Sequence, residues 1–269
     1  MADQIENSDR IINSATDAFV SNLGDVEDAL LEAILKKIKS LNTDGGIIAG
    51  DAANKKIAAQ IEAFIESIVK KTGYDADIKE LIANFDDIEK NAFDLQKNYS
   101  DLKVDADKIK LSNLREWAVD NTLYHLREGG FRLNIIQPIK EALTRSVLLN
   151  GTLTDLETEI TKATQGTLKG YTGNTVRDTF SQYEGVIQKK IETVYDLNAI
   201  LYAGGIKKTT RPQCRRWVGM GVLMKEDLWE EIRWALKNGT GMIPETTPDT
   251  FIIYRGGYGC LHKGIPTRR

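Results

Sequence analysis

Proline, cysteine and histidine are scarce in this chain of 269 residues, which has five prolines, two cysteines and two histidines. Two cysteines cannot build the disulfide framework on which small secreted domains depend. No apolar run approaches the roughly 20 residues that a membrane-spanning helix needs, and the polar residues 1–10 lack the apolar core of a secretion signal. These absences predict a protein that folds in a cytosol and has no membrane partner.

Catalytic motifs are also missing. The sequence contains no Walker-type phosphate loop, no Gly-x-Ser-x-Gly, no His-Glu-x-x-His and no paired Cys-x-x-Cys. His125 stands beside Tyr124 and Leu126 on a predicted helix, where packing is the simpler interpretation. The carboxylates lie mostly beside lysines on helix faces, as solvated surface charges do. We therefore assign no catalytic residue and no cofactor, and we expect the chain not to be an enzyme.

Composition changes sharply near residue 200. The first 200 residues contain a single proline, Pro138, whereas the last 66 contain four, together with both cysteines and ten of the 22 glycines. Those 66 residues also hold 12 Lys and Arg against 6 Asp and Glu, so this end is basic and the remainder is acidic. The shift predicts two domains, 1–200 and 201–269. A basic end suits nucleic acid or an acidic protein surface, and a chance split of charge is the alternative.

Apolar residues recur at helical spacing through residues 1–200, so this part is predicted to be a helical body. Pro138 suits a first helical turn, and Thr154 with Glu157 suits a capping box. The predicted helices, apart from the longest one, cover about 26–41, 51–71, 112–127, 138–149, 154–164 and 175–199.

One apolar series is longer than the others. Its members alternate steps of three and four, which predicts a single helix of about 32 residues, roughly 48 Å long, over most of residues 78–109. Such a narrow stripe suits one partner helix, either the preceding helix of the same chain or a helix of a second copy. The series is Ile78, Leu81, Phe85, Ile88, Ala92, Leu95, Tyr99, Leu102, Ala106 and Ile109.

The end of the chain follows a different pattern. Short apolar runs with glycine nearby, at 201–205 and 251–254, predict strands, and apolar residues four apart predict a helix over 225–236. A module this small buries little core and should lean on the helices or carry a staple. The predicted fold is therefore mainly α, with an elongated helical body, long coiled-coil-like helices and a small C-terminal α+β module.

Both cysteines belong to this module. A Thr-Arg-Pro corner precedes Cys214, and a glycine-rich turn precedes Cys260 and His262, so the three side chains can converge. We interpret Cys214 and Cys260 as a structural pair of buried thiols. A disulfide is one alternative, and a zinc site that adds His262 and a fourth ligand is another, although two Cys and one His do not suffice to assign a metal.

Four segments of the tail form an ordered signature. It resembles the C-terminal signature of phage head-morphogenesis proteins, the Mu F-like minor head family, over about residues 201–266. Leu261 stands where that family commonly has arginine, which weakens any role tied to that charge. The segments are Tyr202-Ala203-Gly204-Gly205, Thr210-Arg211-Pro212-Gln213-Cys214-Arg215, Asn238-Gly239-Thr240-Gly241, and Gly256-Gly257-Tyr258-Gly259-Cys260-Leu261-His262 followed by Pro266.

The resemblance implies a structural protein of the virion, made in the host cytoplasm and located in the capsid interior or at the portal vertex. Its expected partners are the portal and other capsid proteins, with DNA and a second copy of the chain as further candidates. A basic cluster is expected to contact DNA or an acidic partner. Its members are Lys207, Lys208, Arg211, Arg215 and Arg216.

Two other functions stay open at this point. Tyr254-Arg255-Gly256 is similar to the arginine motif of ADP-ribosyltransferases, toxins that are sometimes fused to phage head domains. That fold also needs acidic residues downstream, and none follows Asp249. The other alternative is a helical adaptor outside phages.

Overall fold

The computed structural model describes residues 2–100 and 102–269, and 70% of it is helical. Long helices combined with a small sheet near the C-terminus confirm the predicted mainly α fold with a small α+β module. Within the described residues, none of the helices combines the length and the apolar character that crossing a membrane requires.

The elements follow one another in a simple order. The first part of the chain forms α1 (Ala2–Ile38), β1 (Thr43–Asp44), β2 (Ile47–Ile48), α2 (Ala52–Val69), α3 (Tyr74–Ala83), α4 (Phe85–Tyr99), α5 (Ala106–Ile109) and α6 (Leu111–Tyr124). A π-helical segment, His125–Ile136, leads into α7 (Gln137–Leu148), α8 (Leu153–Thr164) and α9 (Thr167–Val194). The last part forms β3 (Ala199–Ala203), α10 (Pro212–Met220), β4 (Val222–Met224), a 3₁₀ turn (Lys225–Asp227), α11 (Leu228–Asn238), α12 (Phe251–Tyr254) and β5 (Lys263–Thr267).

The chain packs as two compact units. Unit 1 comprises Met1–Ala15, Ala83–Asn121 and Val176–Arg269, and unit 2 comprises Thr16–Ile82 and Thr122–Thr175. The division that we predicted at residue 200 is not a boundary between these units, because residues 201–269 belong to unit 1. The change in composition near residue 200 coincides with the change from helices to a sheet. Ile265 of the sheet packs with Ile5 and Leu95 in one core, so the sheet and these helices belong to the same unit.

Unit 2 packs around a largely aliphatic core that also contains aromatic rings. Tyr74 packs on Phe19 and Phe131, with ring centroids 6.2 and 5.8 Å apart, and donates a hydrogen bond to a backbone carbonyl. The predicted capping box at Thr154 is wrong, because α8 begins earlier and Thr152 accepts a hydrogen bond from the Asp155 backbone N–H. A threonine hydroxyl therefore caps the N-terminus of α8, as expected, but the capping residue is Thr152 and not Thr154.

The single long helix predicted over residues 78–109 is also wrong. The chain leaves the helix at Asn84 and again at Ser100, whose backbone is extended and whose hydroxyl bonds to Gln96. Asp105 then caps the short helix α5. Ser100-Asp101 is a weak pair for a helix by propensity, and Asp101 itself lies outside the described residues.

The apolar series nevertheless marks buried positions. Ile78, Leu81, Phe85, Ile88, Ala92, Leu95 and Ile109 are buried, Tyr99 and Leu102 are half-buried, and Ala106 is exposed. The first two lie in unit 2 and the others in unit 1. The regular spacing therefore reflects burial in two cores and not a seam against one partner helix.

A three-stranded antiparallel sheet lies near the C-terminus, in the order β4-β3-β5. Residues 251–254, predicted to be a strand, form the short helix α12, and the strand is instead Lys263–Thr267. Pro266 is tolerated there because β5 is an edge strand. The aromatic rings of Tyr202, Trp217 and Phe251 form the centre of the module's own core, with centroids 4.9–6.0 Å apart.

Candidate metal centre in the C-terminal module

The Thr-Arg-Pro corner positions the first cysteine. Pro212 stands in the first turn of α10, where its fixed φ favours the helix, and this places Cys214 two residues further inside. The guanidinium of Arg211 donates a hydrogen bond of 2.9 Å to the carbonyl of Gly256, and the amide of Gln213 donates one of 3.0 Å to the same atom. The corner is thus clamped to the glycine-rich turn that carries the second cysteine.

The three metal-ligating side chains of the tail meet at this point. The sulfurs of Cys214 and Cys260 lie 3.9 Å apart, so the expected convergence of the two cysteines is confirmed. The Nδ1 atom of His262 lies 3.7 Å from the Cys260 sulfur, and the three ligand atoms all lie within 4.8 Å of one another. Both cysteines are free and buried. The structure therefore holds a reduced thiol pair with an imidazole beside it.

Hydrogen bonds distribute the protons of this cluster unequally. The hydrogen bond between the two thiols lowers the pKa of Cys260 well below its ordinary value, against the opposing effect of burial and with further help from His262 and Arg255. The same hydrogen bond and burial raise the pKa of Cys214. Burial also raises the pKa of Tyr202, whose Oη lies 3.5 Å from each sulfur. The contact between the thiols thus favours the thiolate form of Cys260 over that of Cys214.

Gly256 is required for this approach. A Cβ atom at that position would stand 2.2 Å from the Cys214 sulfur and 2.9 Å from the Cys260 sulfur. Both distances are far below van der Waals contact, so a side chain there would push the sulfurs apart. The glycine of the signature therefore makes room for the cluster.

A buried charge cluster lies next to the thiols, and the sequence did not lead us to it. Glu184 of α9 is 1% exposed and lies 2.6 Å from the ammonium of Lys263 and 3.4 Å from the guanidinium of Arg255. Ser8 and Asn91 donate further hydrogen bonds of 2.6 and 3.0 Å to the other oxygen of the carboxylate. Burial opposes ionisation, but the two cations outweigh it and hold the pKa of Glu184 below its ordinary value.

Arg255 is fully engaged in the interior. It is 2% exposed, and it donates hydrogen bonds to the backbone carbonyls of Ser181 and His262 besides its ion pair with Glu184. Its φ of +49° is unusual for a residue with a Cβ. A guanidinium bound in this way is not presented to a nicotinamide ligand, so this geometry gives no support to the ADP-ribosyltransferase alternative.

One sequence signal could have indicated the charge cluster. Phe180, Tyr183, Ile187 and Ile191 are buried on one face of α9, and Glu184 lies on that same face four residues after Phe180. An acidic residue within an apolar stripe needs a buried cation as partner. The spacing did not identify Lys263, which is distant in sequence.

A cavity of 840 Å³ in unit 1 opens onto the thiol cluster. Tyr202, Cys214, Cys260 and His262 form part of its wall. Asp9 also lines the cavity with other residues of the N-terminal helix, and burial raises the pKa of this carboxyl group. Small ligands and water thus have a route to the sulfurs.

The three arginines of the predicted basic cluster are engaged within the chain. Besides the contact of Arg211 described above, Arg215 donates to backbone carbonyls of the preceding loop. Arg216 forms two hydrogen bonds of 2.7 Å with Glu231, lowering the pKa of that carboxyl, and its guanidinium lies 4.8 Å from the ring centre of Trp234. The three arginine side chains therefore stabilise the module through contacts within the chain.

Lys207 and Lys208 differ from the arginines. Both are exposed, and within the part of the chain that the structure describes neither forms an ion pair. Lys207 also lines the cavity. Of the five predicted contact residues, these two are the ones whose side chains have no hydrogen-bond or ion-pair partner among the described residues.

Comparison with family models, curated proteins and solved structures finds no match for this chain. The similarity of residues 201–266 to the head-morphogenesis signature therefore stays a prediction.

Proposed function

We propose that the chain is a structural minor head protein of a tailed phage virion, associated with the portal or the capsid interior and with packaged DNA. The observation that carries the proposal is the convergence of the signature. Three separate segments of the chain meet within a few ångströms at Tyr202, Cys214 and the pair Cys260 and His262, and Gly256 makes room for them. The residues of the signature contact one another, so the signature stabilises the fold of the module. This is expected of a structural module.

The orientation of the polar residues agrees with a structural role. Arg211, Gln213 and Arg255 donate their hydrogen bonds to backbone carbonyls of the same module or of α9. Glu184 and Lys263 neutralise each other in the interior. These groups hold the chain together, whereas an enzyme would direct comparable groups toward a substrate.

The exposed pair Lys207 and Lys208 supports a contact with DNA. Two adjacent cations on a loop can bind phosphates without reading the sequence, which suits a protein that handles a whole genome. The acidic remainder of the chain does not favour DNA. The basic end is therefore the surface that we assign to nucleic acid.

A complementation experiment tests this function. The gene is deleted in the phage that encodes the chain, and the wild-type protein or variants are supplied in trans. We expect the deletion to lower the yield of particles or their delivery of DNA, and the wild type to restore both. Normal particles and normal infectivity without the gene would contradict the proposal.

Point variants serve this experiment better than truncation. Removing residues 201–269 would also remove Lys263 and Ile265 and leave Glu184 buried without its partner, so a defect would have no clear meaning. The informative variant reverses the charges of Lys207 and Lys208. A matched control reverses the adjacent exposed pair at 55–56 on α2.

A further inference from the structure

We propose that Cys214, Cys260 and His262 bind one zinc ion through the two sulfurs and Nδ1, with a water from the cavity as the fourth ligand. This site does not depend on the proposed virion role and goes beyond it. Cys214 comes from α10, and the other two ligands come from the segment before β5. The ion would therefore tie a helix of the module to its edge strand.

The distances fit tetrahedral coordination. Zinc–sulfur bonds of about 2.3 Å and zinc–nitrogen bonds of about 2.0–2.1 Å place two sulfurs about 3.8 Å apart and a sulfur and a nitrogen about 3.6 Å apart. The observed separations are 3.9 Å between the sulfurs and 3.7 Å between the Cys260 sulfur and Nδ1. These two separations match the tetrahedral values to within about 0.2 Å. The third pair, the Cys214 sulfur and the His262 ring nitrogen, lies within 4.8 Å, so coordination requires these two atoms to approach by up to about 1 Å. A disulfide, in contrast, would require the sulfurs to approach to about 2.05 Å.

The chemistry of the donors selects the metal. Two thiolates and an imidazole suit zinc and are poor ligands for magnesium or calcium. Tyr202 lies 3.5 Å from each sulfur and can donate a hydrogen bond to a metal-bound thiolate. Groups that surround metal ligands commonly orient them through such hydrogen bonds. Binding releases the thiol protons to solvent, and the two thiolates then neutralise the charge of the ion.

The number of ligands explains why water completes the site. Among the described residues, the cluster contains three candidate ligand side chains and no fourth Cys, His, Asp or Glu. The same three side chains line the cavity, so water can reach the remaining position. The role that we assign to the ion is that of the staple that a module of this size needs.

Metal titration of the intact chain tests the site. The protein is purified in reductant, its two thiols are counted with a thiol reagent, and Zn(II) is added and quantified after removal of excess. We expect one equivalent of zinc per chain. Co(II) in place of zinc should give a sulfur-to-cobalt charge-transfer band and the visible bands of tetrahedral cobalt, and this reading needs no variant.

Substitutions then identify the ligands. Cys214→Ser, Cys260→Ser and His262→Gln should each weaken zinc binding by about 100-fold or more, since loss of a mere supporting group costs about 10–100-fold. His125→Gln, which removes the chain's other histidine, should leave binding unchanged. Circular dichroism checks that each variant is folded.

Two results would overturn the proposal. One is a protein with two titratable thiols that gives no sulfur-to-cobalt band, which would leave a plain reduced pair. The other is unchanged zinc affinity in His262→Gln, which would remove the histidine from the site. A chain that oxidises to a disulfide and fails to bind zinc after reduction would likewise overturn the proposal.

Discussion

The replacement Glu184→Gln tests the buried charge cluster. The substitution keeps the shape of the side chain but removes its charge. Lys263 and Arg255, which are 1% and 2% exposed, would then lie in the interior without their anion, and Asp9 at 3.6 Å would be the remaining carboxylate of Lys263. Breaking a buried ion pair from one side costs about 3–5 kcal/mol, because the remaining charge is buried and uncompensated.

The expected loss can be measured by thermal or urea unfolding. For a chain of this size, each kcal/mol corresponds to about 2–4 °C, so the melting temperature should fall by roughly 6–20 °C. The control is Asp249→Asn, which removes an ion pair with Lys189 whose carboxylate is 90% exposed. Because solvent screens that pair, its loss should cost less than about 1 kcal/mol. Equal losses in the two variants would refute the argument.

The pH dependence gives a second reading of the same variant. The pKa of Glu184 is held below its ordinary value of 4.5 in the folded state, so the unfolded chain binds the proton more tightly. The ion pair therefore contributes its full stability above about pH 4.5 and loses it as pH falls through the folded pKa. The difference in stability between wild type and Glu184→Gln should be constant near neutral pH and shrink in acid. A difference that grew in acid would contradict this assignment.

Two further predictions concern the module's turn and its lysines. Gly256→Ala should destabilise the chain by about 1–3 kcal/mol in urea unfolding, because its Cβ would overlap both sulfurs; Gly205→Ala, which meets no atom within 4 Å, should have little effect, and equal losses would refute the steric argument. Reversing the charges of Lys207 and Lys208 should reduce the salt dependence of DNA binding by about two units of the log–log slope. The control pair at 55–56 should leave this slope unchanged, and a slope that is also unchanged in the 207–208 variant would remove these lysines from the DNA contact.

The sequence predicted the elements better than their lengths. Helices were predicted from apolar spacing, and most were found close to the expected positions, because burial imposes that spacing wherever a helix packs. The same spacing failed at Asn84 and Ser100. Helical periodicity continues across these positions, but the chain passes from one unit to the other just before Asn84. At Ser100 the backbone becomes extended and the hydroxyl bonds to the Gln96 carbonyl. Periodicity reports which residues are buried and does not report what buries them.

The strand at the C-terminus shows a similar limit. Phe251–Tyr254 is apolar and was predicted to be a strand, but it forms a helical turn after the Thr247–Thr250 turn. The actual strand contains Pro266, which is unfavourable in a strand and is tolerated at this edge. Whether such a segment forms a strand depends on its tertiary contacts, and the local sequence pattern does not show these contacts.

Part of the candidate site was accessible from the sequence. The convergence of Cys214, Cys260 and His262 followed from turn chemistry and from the ordered signature. The contacts of Arg215 and Arg216 within the module were not accessible from the sequence. A run of basic residues has the same sequence pattern whether its side chains face solvent or a neighbouring carboxylate. Glu231, the partner of Arg216, is 15 residues away on another helix.

The copy number of the chain in purified particles tests the virion role most directly. Particles are banded in a density gradient, washed in salt, and analysed by quantitative mass spectrometry with portal peptides as the internal standard. We expect the chain to be present at a fixed low ratio to portal in particles from independent preparations. Absence of the chain from mature particles, or an amount that varies with the washing, would contradict its assignment as a component of the virion.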